Sequence, residues 1–170
     1  MIIVKKSGYL KYKNFKYRCA LGKAGINKKK EEGDNITPKG TFKFTNVYYR
    51  SDRVKKIKTL LKKNKIKKNM GWCDDPESKS YNKLIKIPSL VKHEKLYRKD
   101  HLYDIVIPLN YNMNPAIKNK GSAIFLHLAK RSLRLPRFME TRKLALQAWE
   151  CLIGFSIKLV NSLQVGMRTE

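Results

Sequence analysis

Cysteine is scarce in this sequence, and its spacing excludes several kinds of site. Only three cysteines occur among the 170 residues: Cys19, Cys73 and Cys151. No two of them have Cys-x-x-Cys spacing, and the three histidines do not cluster with them. The sequence therefore predicts no metal site, no cofactor and no disulfide framework. Each cysteine is a lone thiol that either packs in the core or acts as a nucleophile.

Long apolar runs are also missing. No stretch before position 140 approaches the roughly 18 apolar residues that a membrane span requires. The run from Leu144 to Val160 comes closest, but Gln147, Glu150 and Lys158 interrupt it. The apolar run at the N-terminus is too short for the core of a secretory signal. We expect no membrane span, and no signal peptide is visible.

Acidic residues are few: 13 Asp and Glu stand against 39 Lys and Arg, which gives a net charge of +26. Such a charge attracts nucleic acid, an anionic membrane surface or an acidic polymer such as the cell wall. Residues 1–130 contain 28 lysines but only 4 arginines. Because nucleic-acid readers depend more on arginine, we interpret the charge as a bias in residue usage and expect no nucleic-acid partner.

Alternating polar and apolar residues predict β structure in the first part of the chain. Lys13 and Asn14 are expected at the tip of a hairpin that joins strands over Tyr9–Tyr12 and Phe15–Leu21. Later apolar runs at 104–109 and Ser122–Ala129 predict central strands, although Pro108 favours either an edge position for the first strand or a place at its end. Residues 28–35 and 70–82 read as loops. A short surface helix is predicted over Ser51–Lys68.

Residue usage changes near position 131. Residues 131–170 hold 2 lysines against 5 arginines, together with both glutamines of the chain. An apolar stripe at helical spacing predicts a helix over Arg142–Leu163. We therefore divide the chain into a β domain, 1–130, and an atypical C-terminal segment, 131–170, which is part of that domain or appended to it.

An ordered series of motifs resembles the YkuD family of L,D-transpeptidases. Gly33–Phe42 is similar to the family's Gly-x-x-x-Thr-Pro-x-Gly-x-Phe stretch. Further matching segments follow in order at 48–53, 71–82, 96–104 and 121–127. The resemblance covers about residues 1–130. It implies a mainly β (α+β) catalytic domain, a curved mixed β-sheet or sandwich, to which we add the predicted C-terminal helix.

The resemblance also implies a chemistry, which is acyl transfer on peptidoglycan stem peptides through a cysteine thioester, with a histidine as the base. His127 matches the family's histidine by its place at the end of Ser-Ala-Ile-Phe-Leu-His. The family's nucleophile follows in a Ser/Thr-x-Gly-Cys motif, but residues 137–144 contain neither glycine nor cysteine. Cys151 is the only thiol beyond His127. It follows Glu150 inside the predicted helix, so we expect little or no transpeptidation.

Three residues are candidate substrate contacts: Trp72 and Asp75 in the Gly-Trp-Cys-Asp-Asp-Pro segment, and Ser122 before the histidine strand. A loop of this composition favours binding over nucleophilic catalysis by Cys73, because neighbouring carboxylates oppose thiolate formation. Two other functions stay open, a non-catalytic wall-binding or partner-binding relative and a basic nucleic-acid-binding module. The resemblance implies the cell envelope or periplasm; otherwise we expect a cytoplasmic protein. We expect a monomer.

Overall fold

The structure is a computed structural model that describes residues 1–57, 59–128 and 167–170. These residues form β-strands and no helix, so the prediction of a mainly β fold is confirmed. The predicted helix over Arg142–Leu163, the thiol of Cys151 and all but the last four residues of the segment 131–170 lie outside the described part of the chain.

Fourteen short strands make up the described fold. In chain order they are β1 (Ile2–Lys5), β2 (Tyr9–Tyr12), β3 (Phe15–Arg18), β4 (Ile26–Asn27), β5 (Thr37–Pro38), β6 (Gly40–Phe42), β7 (Val47–Tyr49), β8 (Lys63–Lys65), β9 (Met70–Cys73), β10 (Leu84–Lys86), β11 (His93–Lys95), β12 (Ile105–Pro108), β13 (Phe125–His127) and β14 (Met167–Thr169).

Three sheets and one strand pair organise these elements. The first sheet has the order β3-β2-β1-β14-β6, the second β13-β12-β7-β8 and the third β10-β9-β11, while β4 pairs with β5. Parallel pairing occurs between β1 and β14 and between β7 and β8, next to antiparallel neighbours. The first and second sheets are therefore mixed, as predicted.

The second sheet lies between two apolar clusters. Ile105 and Ile107 of β12 belong to a cluster that also contains Ile2 and Met167 of the first sheet. Val106, between them, belongs to a cluster with Trp72 of the third sheet. Because successive side chains of a strand point to opposite faces, β12 contributes to both clusters. This explains why its whole length is buried and why its sequence is a continuous apolar run.

The predicted hairpin is confirmed. β2 pairs antiparallel with β3, and Lys13 at its tip has a φ of 50°. Tyr17 packs against the first cluster, whereas Lys16 and Arg18 point to solvent. The period-two pattern of the sequence therefore separated Tyr17 from Lys16 and Arg18 correctly, but Phe15, predicted on the same side as Tyr17, is 59% exposed.

The predicted helix over Ser51–Lys68 is wrong in the part that the structure describes. Val54 and Ile57 are buried in the first cluster, but they lie in an irregular segment. Lys63–Lys65 forms β8, which pairs parallel with β7. Apolar residues three and four positions apart satisfy a helical pattern, and here an irregular segment laid over the core produces the same spacing.

Two other boundaries differ from expectation. Met70–Cys73, predicted to be loop, forms β9 because it pairs with β10 on one side and β11 on the other. Among the described residues of the predicted strand Ser122–Ala129, which end at Leu128, only Phe125–His127 is strand. Ala123 has a φ of 52°, a left-handed conformation that is incompatible with a strand. Within the described residues β13 has β12 as its one neighbour, so it is not central there.

Candidate active site

His127 is the last residue of β13. Its Nδ1 lies 2.7 Å from the carbonyl oxygen of Leu128. A carbonyl only accepts hydrogen bonds, so Nδ1 must carry the proton, and Nε2 of the neutral ring presents its lone pair. Nε2 makes no hydrogen bond to the part of the chain that the structure describes. The ring is therefore in the tautomer that a general base requires at Nε2.

The surroundings of His127 favour the neutral ring. Desolvation by the protein atoms around it lowers the pKa of His127, although the hydrogen bond to Leu128 and the charge of Glu94 act in the opposite direction. The residue as a whole is nevertheless exposed. A neutral ring with an accessible edge is suited to accepting a proton near neutral pH.

Tyr103 packs against the histidine. The two ring centroids are 5.2 Å apart, and the planes meet at 73°. Burial and the nearby carboxylate of Glu94 raise the pKa of Tyr103, so its hydroxyl keeps its proton. The guanidinium of Arg98 lies 5.1 Å from the Tyr103 ring centroid, and Arg98 also pairs with Glu94 at 2.8 Å. His127 is thus bordered by an aromatic ring and an ion pair.

Three of the four arginines in residues 1–130 hold the segment that carries Tyr103. Arg98 forms two hydrogen bonds to Asp100, of 2.8 and 2.6 Å. Arg50 donates to the carbonyl of Arg98 at 2.6 Å, and Arg53 pairs with the buried Asp104 at 2.8 Å. Bidentate arginine–carboxylate pairs fix geometry better than lysine does, so arginine in this lysine-rich chain is concentrated where positioning is needed.

A row of aromatic rings connects His127 to Trp72. Phe125, two residues before His127 on the same face of β13, lies 6.1 Å from Tyr103 and 5.2 Å from Trp72 between ring centroids. Trp72 is only 4% exposed, so its buried ring packs against Phe125 rather than facing solvent.

Asn82 joins the third sheet to the loop before β13. It is buried at a φ of 57°. Its side-chain oxygen accepts from Trp72 Nε1 at 2.9 Å and from the backbone N–H of Ala123 at 3.1 Å. Its nitrogen donates to the carbonyls of Tyr111 and Asn112. The amide thus makes four hydrogen bonds, and the one from Ala123 fixes the backbone that leads into the histidine strand.

The backbone of Gly121, the residue before Ser122, is held by a second buried side chain, Tyr81. The Tyr81 hydroxyl accepts from the N–H of Gly121 at 3.0 Å and donates to Glu32. Burial and the Glu32 carboxylate raise the pKa of Tyr81. Ser122 is 5% exposed, and its hydroxyl makes no well-formed hydrogen bond within the described residues, although it lies close enough to Tyr81 to lower that pKa.

The loop over 28–35 packs against Gly121, in the segment before β13. Lys29 and Asp34 form an ion pair in which both side chains are at least nine-tenths buried. The Lys29 side chain crosses Gly121 so closely that a Cβ there would lie 1.9 Å from Lys29 Cε, and Gly121 has a φ of 95°. The glycine is therefore required both by the close approach and by its conformation.

The two described cysteines are poorly placed for nucleophilic chemistry. Cys73 is completely buried, and its sulfur lies 4.0 Å from the carbonyl oxygen of Asp75. Cys19 packs against the first cluster, and burial raises the pKa of its thiol. Asp75 accepts a hydrogen bond from the N–H of Glu77 and so shapes its own turn.

Two surface hollows occur on the third sheet, away from the ring row. One, of about 310 Å³, is lined by Met70, Leu84 and their neighbours; the other, of about 410 Å³, is lined by Ile87, His93 and theirs. Across the described ranges, His, Cys, Asp and Glu form no group of three that could hold a metal ion. Nor is any helix there long and apolar enough to cross a bilayer.

Residues 1–141 match the family model of the L,D-transpeptidase catalytic domain, YkuD. The chain belongs to this family. Searches of curated proteins and of solved structures gave no match. L,D-transpeptidases of this family have peptidoglycan as their substrate and are generally associated with the cell envelope.

Within this L,D-transpeptidase domain the structure brings together some of the sequence-predicted site residues. Trp72 and the Ser122 loop meet at Asn82, and Trp72 reaches His127 through two aromatic rings. The contacts of Asp75 stay within its own turn. Cys151 lies among the undescribed residues.

Sequence reasoning assigned no role to the residues that support His127 in the candidate site. Tyr103 and Arg98 lie in the matching segment at 96–104, but only the fold shows that Tyr103 packs against His127 and that Arg98 lies against Tyr103. Asn82 could have been suspected, because an asparagine in a loop tolerates the left-handed conformation and can hydrogen-bond to the backbone.

Proposed function

We propose that the protein binds peptidoglycan stem peptides at the surface around His127, with His127 as the general base of an acyl transfer that runs at a low rate or not at all. The observation that carries this proposal is the hydrogen bond from His127 Nδ1 to the carbonyl of Leu128. It leaves the lone pair of the neutral ring on Nε2, where it can accept a proton. Membership of the family supplies the substrate class.

In the reaction of the family, Nε2 would take the proton of a thiol. The sulfur would then attack the carbonyl at the third residue of a stem tetrapeptide and form a thioester. The bond to the terminal D-alanine would break, and the imidazolium would return its proton to the departing amine. An amine of a second stem peptide, or water, would resolve the thioester.

The reaction requires a reactive thiol, and each of the three cysteines is poorly suited to that role. Cys73 is buried and Cys19 is packed in the core, which leaves Cys151 as the candidate nucleophile. Cys151 follows Glu150 where the family has glycine. A carboxylate beside a thiol raises the pKa of that thiol and so disfavours the reactive thiolate. This departure favours a second candidate function, a relative that binds stem peptides and performs no chemistry.

One pair of measurements separates the two functions. The intact mass of the protein is recorded after incubation with a carbapenem, which acylates reactive active-site thiols, and binding of a soluble stem tetrapeptide is measured by calorimetry. The variants are His127→Ala and Cys151→Ser, with Cys19→Ser as the matched control for loss of a thiol.

Acylation that disappears in Cys151→Ser but persists in Cys19→Ser would establish the enzyme. Peptide binding that weakens in His127→Ala, without acylation in any version, would establish the binding relative. If the tetrapeptide does not bind and no thiol is acylated, the proposed site is wrong.

A further inference from the structure

The outward side of the first sheet carries almost only positive charge. Residues 1–30 contain nine lysines and one arginine and no acidic residue. On β1, β2, β3 and β14 one set of side chains is buried in the first cluster, and the alternate set points to solvent. We call this outward set the basic face; it consists of the cations Lys5, Lys11, Lys16, Arg18 and Arg168, with Tyr9 and the half-buried Ile3 between them.

The register places like charges directly opposite each other. Lys11 of β2 pairs with Lys16 of β3, and both side chains are exposed. Cross-strand pairs of like charge destabilise a sheet. No carboxylate on β1, β2 or β3 offsets this repulsion, whereas Arg168 at the far side of the face has Glu170 at 3.3 Å. An anionic ligand would relieve the repulsion, so the face is complementary to one.

Spacing and shape indicate what kind of anion fits. Neighbouring strands are about 4.8 Å apart, and alternate residues along a strand are about 6.7 Å apart. Lys11, Lys16 and Arg18 are therefore cations at intervals of about 5–7 Å, whereas Ile3 separates Arg168 from Lys11 and Tyr9 separates Lys5 from Arg18, at about 10 Å each. Such an array suits an extended polymer with carboxylates repeated along it better than a single small anion.

Two features favour a carboxylate polymer over nucleic acid. The two cations that stand directly opposite each other, Lys11 and Lys16, are both lysines, whose ammonium acts as a point charge without the planar fork that reads phosphates and bases. The ring of Tyr9 is also occupied, since Lys16 Nζ lies 4.1 Å and the Arg18 guanidinium 5.8 Å from its centroid. A base could not stack on the ring side that a cation already covers.

We propose that the basic face is a second attachment surface for peptidoglycan, which binds the carboxylates of stem peptides along the polymer. This inference rests on the proposed function for its ligand. The face is separate from the candidate active site. His127 projects from the same side of β13 as Phe125, toward the second cluster. The basic face is the side of the first sheet that points away from the first cluster. The polymer would be held on one side of the molecule while single stems are presented at the other.

The test is co-sedimentation of the full chain with purified peptidoglycan sacculi at low and high salt. The variant is Lys11→Gln with Lys16→Gln, and the matched control is Lys63→Gln with Lys65→Gln, which removes two exposed charges from β8, an edge strand of the second sheet. We expect the hairpin variant to bind sacculi at least about threefold more weakly at low salt, and the control to bind like the wild type.

Thermal unfolding shows whether the hairpin variant is folded, and loss of the Lys11–Lys16 repulsion should leave its melting temperature unchanged or higher. Equal binding by the hairpin variant and the wild type would overturn the inference. Tighter binding to a DNA duplex than to sacculi, at equal concentrations of negative charge, would also overturn it.

The soluble tetrapeptide separates this inference from the proposed function. Its binding should be the same in the hairpin variant and the wild type, because a single stem does not span the face. If sacculi bind through the basic face but the tetrapeptide does not bind at all, the proposed function fails and the second surface stands.

Discussion

At the scale of single residues, short polar contacts decide what the candidate site can do. The proton on His127 Nδ1 is fixed by one carbonyl, that of Leu128. The backbone before the histidine strand is fixed by one amide, that of Asn82. The first contact joins adjacent residues and depends on the local backbone and ring conformation, whereas the second joins residues 41 apart and depends on the fold.

His127 should therefore have a depressed pKa and a single neutral tautomer. We expect its titration midpoint to lie below the value of about 6.5 found in model peptides, because the surrounding protein desolvates the charged ring. Since the folded-state pKa lies below the unfolded one, protonation of His127 should reduce stability as the pH falls through this window. The ¹⁵N chemical shifts of the imidazole ring report both the pKa and the neutral tautomer. The signal that is lost in His127→Gln belongs to His127. A neutral ring with its proton on Nε2 would contradict the prediction.

Asn82→Ala should destabilise the protein by about 2–4 kcal/mol. The substitution leaves Trp72 Nε1 and two backbone carbonyls without their buried partner, and it places alanine at a positive φ. Urea unfolding measures the change. The control is Asn69→Ala, since Asn69 is exposed, and this variant should differ from the wild type by less than about 0.5 kcal/mol. Equal effects of the two substitutions would show that the network is not important.

At the scale of elements, local patterns predicted some parts and failed at others. The hairpin of β2 and β3 was predictable because its alternation and its tip residues are contiguous. β9 was not, because Gly71 and Asp74 suggest a loop and the strand exists only through its two neighbours. The helix predicted over Ser51–Lys68 failed because three apolar residues can reach a core from an irregular segment as well as from a helix.

The candidate site likewise combines a residue suggested by a local motif with residues that only the fold brings near it. His127 was proposed from a motif of six contiguous residues, whereas Tyr103, which packs against its ring, and Arg98, which lies against Tyr103, come from another part of the chain. Pairwise proximity of this kind has no local sequence signal.

The loop over 28–35 should depend on Asp34 in a pH-dependent way. Burial alone would raise the pKa of Asp34, but Lys29 and three backbone N–H groups outweigh it and lower the pKa to about 2. The folded-state pKa lies below the unfolded one, so the stabilisation is complete above about pH 4 and is lost as the pH falls toward 2.

We expect Asp34→Asn to reduce stability at pH 7 by roughly 1–2 kcal/mol and to match the wild type near pH 2. Chemical unfolding at a series of pH values measures this difference. Glu31→Gln removes a charge from the same loop at an exposed position and should change little. A difference that does not vary with pH would rule out the ion pair as its cause.

At the scale of the whole molecule, the last described residues complete the first sheet. β14 lies between β1 and β6, and Met167 is buried in the same cluster as Ile2. The Thr169 hydroxyl donates to the carbonyl of Pro38 and accepts from the N–H of Gly40, both at 2.7 Å. Residues 167–170 are thus part of the β domain.

Met167→Ala should cost about 2–4 kcal/mol, because it opens a cavity in the first cluster. Its neighbour Arg168 points to solvent, so Arg168→Ala is the matched control and should cost less than about 0.5 kcal/mol. Unfolding in urea distinguishes the two. Similar small effects for both would mean that β14 does not hold the sheet together.

The place of β14 also governs when the protein can fold. Ile2 pairs with Met167 and Val4 with Thr169, so β1 must wait for a partner strand that is synthesised 165 residues later (167 − 2). Until residue 169 emerges, the hairpin of β2 and β3 can form beside β1, but the other edge of β1 stays open to other chains. Because contacts so distant in sequence form slowly, the nascent chain should complete its first sheet only after synthesis has passed residue 169, and it should depend on protection from aggregation until then.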